Sequence, residues 1–104
     1  MAIDENEPPR LDIAVTRVLP LPVLELLKSR HNIRINPDDR TLKPDELQQA
    51  ATEADALLIT AFDRLDGDAI ARLPARLRVI ATYSVGIEHI DLDAASRRGI
   101  VWSL

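Results

Sequence analysis

Leu77-Arg-Val-Ile-Ala-Thr-Tyr-Ser-Val-Gly-Ile-Glu-His-Ile-Asp91, continued by Leu92-Asp-Ala-Ala-Ser-Arg-Arg-Gly-Ile100, packs several elements of secondary structure into one short run. Leu77 to Thr82 is a continuous apolar strand, as expected where a parallel sheet is covered on both faces. Tyr83 to Glu88 contains a glycine and reads as a loop. Asp91 suits a helix N-cap, because its carboxylate can accept the first unpaired amides. Arg97-Arg98-Gly99 is a stop signal, with cations at the carbonyl end of the helix dipole and a glycine free to adopt positive φ. Ile100 and Val101 then begin another strand.

The same unit recurs upstream. Leu11-Asp-Ile-Ala-Val-Thr-Arg-Val18 reads as a strand, and Pro20 and Pro22 open a helix with Val23, Leu24, Leu26 and Leu27 on its apolar face. Asn32-Ile-Arg-Ile35 alternates like an edge strand. Pro44 fits the first position of a second helix, with Asp45 and Glu46 at its amino end and a thin stripe of Leu47, Ala50, Ala51 and Ala54. Ala56-Leu-Leu-Ile59 is a buried strand, and Asp66 caps a short helix running through Ile70 and Leu73 to Pro74. Four strand–helix units and a fifth strand predict a doubly wound parallel α/β sheet, flavodoxin-like or Rossmann-like, in the order 2-1-3-4-5. Residues 1–10, polar and carrying Pro8-Pro9, read as a disordered lead-in to one domain segment spanning 11–104.

Composition narrows the class. Apolar residues make up 46% of 104 residues but aromatics only 3%, so the core must rest on Leu, Ile, Val and Ala. A net charge of −4 argues against nucleic acid and anionic membrane as partners. The absence of cysteine removes disulfides and thiolate metal sites, which fits a cytoplasmic location. No basic, apolar leader is visible, and the longest apolar run falls far short of the ~20 residues of a membrane helix.

Ligands of open α/β sheets bind beyond the carboxyl ends of the strands. Three loops are expected there: Arg17-Val-Leu-Pro20, Thr60-Ala-Phe-Asp63 and Tyr83-Ser-Val-Gly-Ile-Glu88. The third is the best candidate. Gly86 permits a tight turn, backbone amides around Val85 and Gly86 could cradle a small anion, and the Ser84 hydroxyl could be a further donor. A plain glycine turn between strand and helix would look the same in the sequence. His89 has no second histidine or cysteine nearby for a metal site, and reads as a surface or cap position. His31 looks solvated. Asp63 stands where receiver domains carry a phosphorylated aspartate, but the acidic pair they need after the first strand is replaced by Arg17-Val-Leu-Pro20. Tyr83 and Trp102 read as core or rim packing. The three glycines, Gly67, Gly86 and Gly99, form neither a Gly-x-Gly-x-x-Gly motif nor a P-loop.

Taken together, Leu77-Arg-Val-Ile80, Tyr83 to Asp91, Ala94-Ala95 and Arg98-Gly-Ile100 resemble the D-isomer-specific 2-hydroxyacid dehydrogenases, in particular their glyoxylate and hydroxypyruvate reductase branch. Val15 to Pro20 and Ala54 to Leu58 agree with its first and third strands. The resemblance implies the opening segment of a substrate domain, without the nucleotide-binding domain. It implies that Ser84, Val85 and Gly86 offer backbone amides to a substrate carboxylate and that Ala61 helps wall the pocket. No catalytic residue is expected within this chain, because the family's arginine, glutamate and histidine fall beyond it, and His89 does not match that histidine. Glu88 departs from the family's usual aspartate, and Val101-Trp-Ser-Leu104 departs from its Asn-Thr-Pro-like turn.

The complete enzyme would use NAD or NADP to reduce a small 2-oxo acid such as glyoxylate or hydroxypyruvate, and family members are usually homodimers. The 104-residue chain alone is expected to bind no dinucleotide and to be inactive. The alternatives are a non-catalytic module binding a small carboxylate or a protein, or a truncated remnant.

Overall fold

The computed structural model describes residues 10–38, 40–84 and 86–103; most of the expected lead-in and Val85 lie outside the described residues. Five strands form one parallel sheet: β1 (Asp12–Val15), β2 (Asn32–Ile35), β3 (Ala56–Thr60), β4 (Val79–Tyr83) and β5 (Val101–Ser103). Their order is β2-β1-β3-β4-β5, the expected 2-1-3-4-5. Register is continuous across the centre, with Ala56 opposite Val79 and Thr60 opposite Tyr83. The helices are α1 (Leu21–Arg30), α2 (Pro44–Ala50), α3 (Gly67–Ala71) and α4 (Leu92–Arg97).

Alternation along the strands divides the core in two. Ala14, Leu57, Ile59 and Ile80 face α2, α3 and α4, where they meet Leu47, Ala69, Ile70, Ala94 and Ala95. Ile13, Val15 and Ala56 face α1 and pack on Leu19 and Leu24. The α1 face thins out toward the far edge, where Leu58 and Val79 are half-buried and Val101 is exposed. Helices therefore cover both faces, one of them only in part.

The local chemistry of the helix ends follows the sequence. Asp66 and Asp91 each accept a backbone amide, from Ala69 at 2.8 Å and Ala94 at 3.0 Å, as N-caps do. Gly99 takes φ of 71°, in the left-handed region where a Cβ is disfavoured. Arg98 goes further than a dipole partner, donating to the carbonyls of Ile70 and Leu73 and so closing the end of α3 from a neighbouring element. At the amino ends of the strands, Arg76 bridges Asp12 and Asp55, and Asp55 also accepts the Asp12 amide. The guanidinium bond and the Asp12 amide hold the Asp55 carboxyl below its usual range.

Two elements are shorter than expected. β1 ends at Val15 rather than Val18, because Thr16 turns its hydroxyl into the molecule toward Asp63 and the chain then leaves the sheet. The second helix ends at Ala50, so Ala51 and Ala54 lie beyond it, yet both are fully buried. Tyr83 and Trp102 belong to the rim, at 51% and 36% exposure. His31 is not simply solvated: its Nδ1 accepts the Leu11 amide at 3.2 Å.

Candidate functional site

Two loops meet at the carboxyl ends of β3 and β4. The first follows Thr60 and carries Ala61, Phe62 and Asp63. The second follows Tyr83 and carries Ser84, Gly86, Glu88 and His89. They are laced together by a short parallel bridge, with the Leu65 amide donating to the His89 carbonyl and the Asp91 amide to the Leu65 carbonyl, both at 2.8 Å. Ala61 and Gly86, far apart in sequence, thereby line one cleft of about 250 Å³ with Arg64, Glu88 and His89. Ala61 also borders a second cleft of about 290 Å³, with Arg17, Leu19, Pro20, Phe62 and Tyr83. There the Arg17 guanidinium lies 5.3 Å from the centre of the Phe62 ring, a cation–π distance. A larger cleft of about 430 Å³, beside Arg34 and Arg40, lies against β2 and α2, away from these loops.

Asp63 is fully buried, and its role is to fix the first loop. Its Oδ2 accepts from the Thr60 amide at 2.8 Å, the Thr60 hydroxyl at 3.3 Å and the Thr16 hydroxyl at 2.5 Å. The carboxylate thus folds back onto the strand end just before it and joins that end to the end of β1. Its Oδ1 is buried without a hydrogen-bond partner among the described residues. A side chain enclosed in this way is closed to a phosphodonor, which agrees with setting aside a receiver role.

In the second loop the Ser84 hydroxyl does not serve as the free donor expected from the sequence. It donates to the Gly86 carbonyl at 2.7 Å, so its one proton is committed inside the loop. Its neighbour is the buried Thr82 hydroxyl at 2.7 Å, which in turn lies 3.0 Å from His89 Nε2. Turning the Gly86 carbonyl toward Ser84 points the Ile87 N–H the opposite way, because a trans peptide sets the two antiparallel. A Cβ at Gly86 would meet the carboxylate of Glu88, the free end of an exposed side chain that folds over it and can turn aside. Arg64 places a cation on the same cleft as that carboxylate. Val85 lies outside the described residues, so the part of the loop described is Ser84 and Gly86 onward.

Among its described residues the chain shows no glycine-rich turn of the kind that holds a dinucleotide. Beyond the Gly-x-Gly-x-x-Gly motif it lacks, the first strand-to-helix turn enters α1 through Pro20 and Pro22, which remove amide donors where a pyrophosphate would need them. Among the described residues no group of three His, Asp or Glu side chains could hold a metal ion, and no helix is long and apolar enough to cross a membrane.

Comparison with known proteins gives this geometry a context. The family model described as the catalytic domain of D-isomer specific 2-hydroxyacid dehydrogenase matches residues 13–103. A glycerate dehydrogenase of Hyphomicrobium methylovorum is 36% identical over 88 residues, covering 85% of this chain and 27% of its own length. A glyoxylate reductase of Thermococcus kodakarensis is 33% identical over 91 residues, covering 88% and 27%. Among solved structures, one from Polaromonas described as a D-isomer specific 2-hydroxyacid dehydrogenase, NAD-binding, superposes with a TM-score of 0.83 at 32% identity, covering 89% of this chain and 30% of that one. The chain therefore spans little more than a quarter of the length of the curated relatives it matches.

Proposed function

Because this chain belongs to the D-isomer specific 2-hydroxyacid dehydrogenase family, we propose that it is the carboxylate-holding part of a reductase acting on a small 2-oxo acid such as glyoxylate or hydroxypyruvate. The observation that carries the reading is the cleft where Ala61 and Gly86 come together beyond the carboxyl ends of β3 and β4. It lies where open α/β sheets place their ligands. The relatives include proteins named glyoxylate reductase and glycerate dehydrogenase, whose names specify small 2-oxo and 2-hydroxy acids.

In this role the backbone amides of the Ser84–Gly86 loop bind and orient the carboxylate. Gly86 leaves room at its Cα, which the Glu88 side chain fills until it turns aside, and the Ala61 loop closes the opposite wall. Arg64 adds positive potential to the same cleft, while Glu88 opposes it and must swing aside when the anion enters. Hydride transfer by the complete enzyme uses NAD or NADP, and the residues present here do not fit that group. The 104-residue polypeptide by itself therefore carries no dehydrogenase activity.

Calorimetric titration of the purified chain with glyoxylate tests the binding half of this reading, with Gly86→Val as the control that fills the approach. Saturable binding by the parent and its loss in the control are expected. Parent and control behaving alike would overturn it. Oxidation of NADH or NADPH with hydroxypyruvate by the pure chain would overturn the inactive half.

A further inference from the structure

We infer that His89 is a positioning residue for the Ser84–Gly86 loop, holding it through a one-way relay of hydrogen bonds that requires a proton on the imidazole Nε2. The inference rests on the carboxylate-holding role proposed above, and it follows from counting protons. Ser84 has one hydroxyl proton, and the Gly86 carbonyl, which can only accept, takes it at 2.7 Å. The 2.7 Å bond between Thr82 and Ser84 must then be donated by Thr82. With its own single proton used, the Thr82 hydroxyl can only accept at its 3.0 Å contact with His89, so Nε2 carries the hydrogen. The sense of every bond is fixed by the carbonyl at the far end, and no step in the relay can be reversed without breaking that last bond.

The relay has its base in a strand and its end in a loop. Thr82 is buried in β4 at 3% exposure and cannot move without disturbing the sheet. Gly86 lies on a loop outside the strands, so the bond to its carbonyl sets how the peptide after it is turned, and hence which way its amide faces. His89 is held at its other end by the main chain, its carbonyl accepting the Leu65 amide that ties this loop to the one bearing Ala61. A single residue thus fixes the turn of the Gly86–Ile87 peptide at the end of the proposed anion-binding loop, and the distance of that loop from the opposite wall. His89 itself touches no reacting atom in this account.

Two measurements on the 104-residue chain test it. Long-range proton–nitrogen spectra of the ring, recorded well above the ordinary histidine pKa, should show His89 protonated at Nε2 and bare at Nδ1. The Nδ1–H form would overturn the relay. Glyoxylate titrations should then compare the parent with His89→Leu, which removes the donor, and His89→Gln, whose amide nitrogen can replace Nε2–H. Binding about fivefold weaker in His89→Leu is expected, the equivalent of one net hydrogen bond, with recovery to within about twofold in His89→Gln. Equal affinities in the parent and both variants, or equal loss in both variants, would overturn the positioning role. If the parent itself binds no glyoxylate, the carboxylate-holding reading falls, and the Ile87 amide resonance decides the relay instead. A shift in His89→Leu that His89→Gln restores supports the relay, and an unmoved resonance overturns it.

Discussion

Asp63→Ala is expected to cost the fold about 3 kcal/mol, a large share of the roughly 5–15 kcal/mol that holds a domain together. The estimate comes from what the carboxylate leaves behind. The Thr60 amide, 2.8 Å from Oδ2, would lose its acceptor at a strand end, and a buried donor left unpaired costs about 1–3 kcal/mol. The Thr16 hydroxyl, at 1% exposure, would keep only its 3.4 Å contact with the Leu58 carbonyl and contribute about 1 kcal/mol more. The Thr60 hydroxyl sits at the strand end and can turn elsewhere, so it adds little. Asp63→Asn retains one acceptor oxygen for these donors but sets an amide nitrogen where Oδ1 is buried without a partner, and should cost less than the alanine variant. Urea unfolding followed by circular dichroism measures both, and the thermal midpoint of the alanine variant should fall on the order of 15 °C. An alanine variant within about 1 kcal/mol of the parent would refute the reasoning, as would an asparagine variant as unstable as the alanine one.

Gly99→Ala should lose about 1 kcal/mol, because φ of 71° is disfavoured for any side chain although nothing crowds the position; unchanged stability in the same unfolding assay would contradict this. Glu46 accepts hydrogen bonds from Arg40 and from the Lys43 amide, and these hold its pKa down from 4.5 to about 2. A depressed carboxyl stabilises the folded state above its ordinary pKa, and that contribution drains away as pH falls from 4.5 through about 2. Carbon-13 titration should place the Glu46 midpoint near 2 and return it toward its ordinary range in Arg40→Ala; an ordinary midpoint with Arg40 in place would overturn the assignment.

Local rules carried the reading of the fold a long way, because several residues here have one dominant use. Asp66 and Asp91 cap helices, Pro44 opens one, and Gly99 closes one with the left-handed backbone it permits. Continuous apolar runs such as Ala56-Leu-Leu-Ile59 marked strands covered on both faces, and strand–helix alternation led to the observed order. The limits lay where a side chain reaches across the chain. Leu11 to Val18 has the composition of one long strand, and nothing local reveals that Thr16 turns inward to an aspartate 47 positions away. Asp63 itself reads as an acid at the end of the third strand, where a receiver domain would present it for phosphorylation, yet it is sealed between two strand ends.

The candidate site divides in the same way. Gly86 and its loop were legible from the break in an apolar run, and the position beyond the strand ends follows from topology. The fate of the Ser84 proton was not legible, since a serine in a loop is equally suited to a ligand or to a carbonyl two residues on. His89 reads as a surface or cap residue because no metal partner stands nearby in sequence. Its partner is Thr82, on the strand the loop leaves, and a hydroxyl seven residues away gives no sequence signal. Arg64 gives no sequence signal for a similar reason: only the bridge between Leu65 and Ile90 brings its segment against the glycine loop.

The central claim is that the Gly86 loop and the Ala61 wall together hold the carboxylate of a small 2-oxo acid. Titrating the nitrogen-15-labelled chain with glyoxylate and following every amide resonance tests it most directly. The account predicts saturable shifts concentrated at Gly86, Ile87 and Ala61, with the strands beneath them unmoved. Shifts confined to the cleft beside Arg34 and Arg40, or none at all, would contradict it.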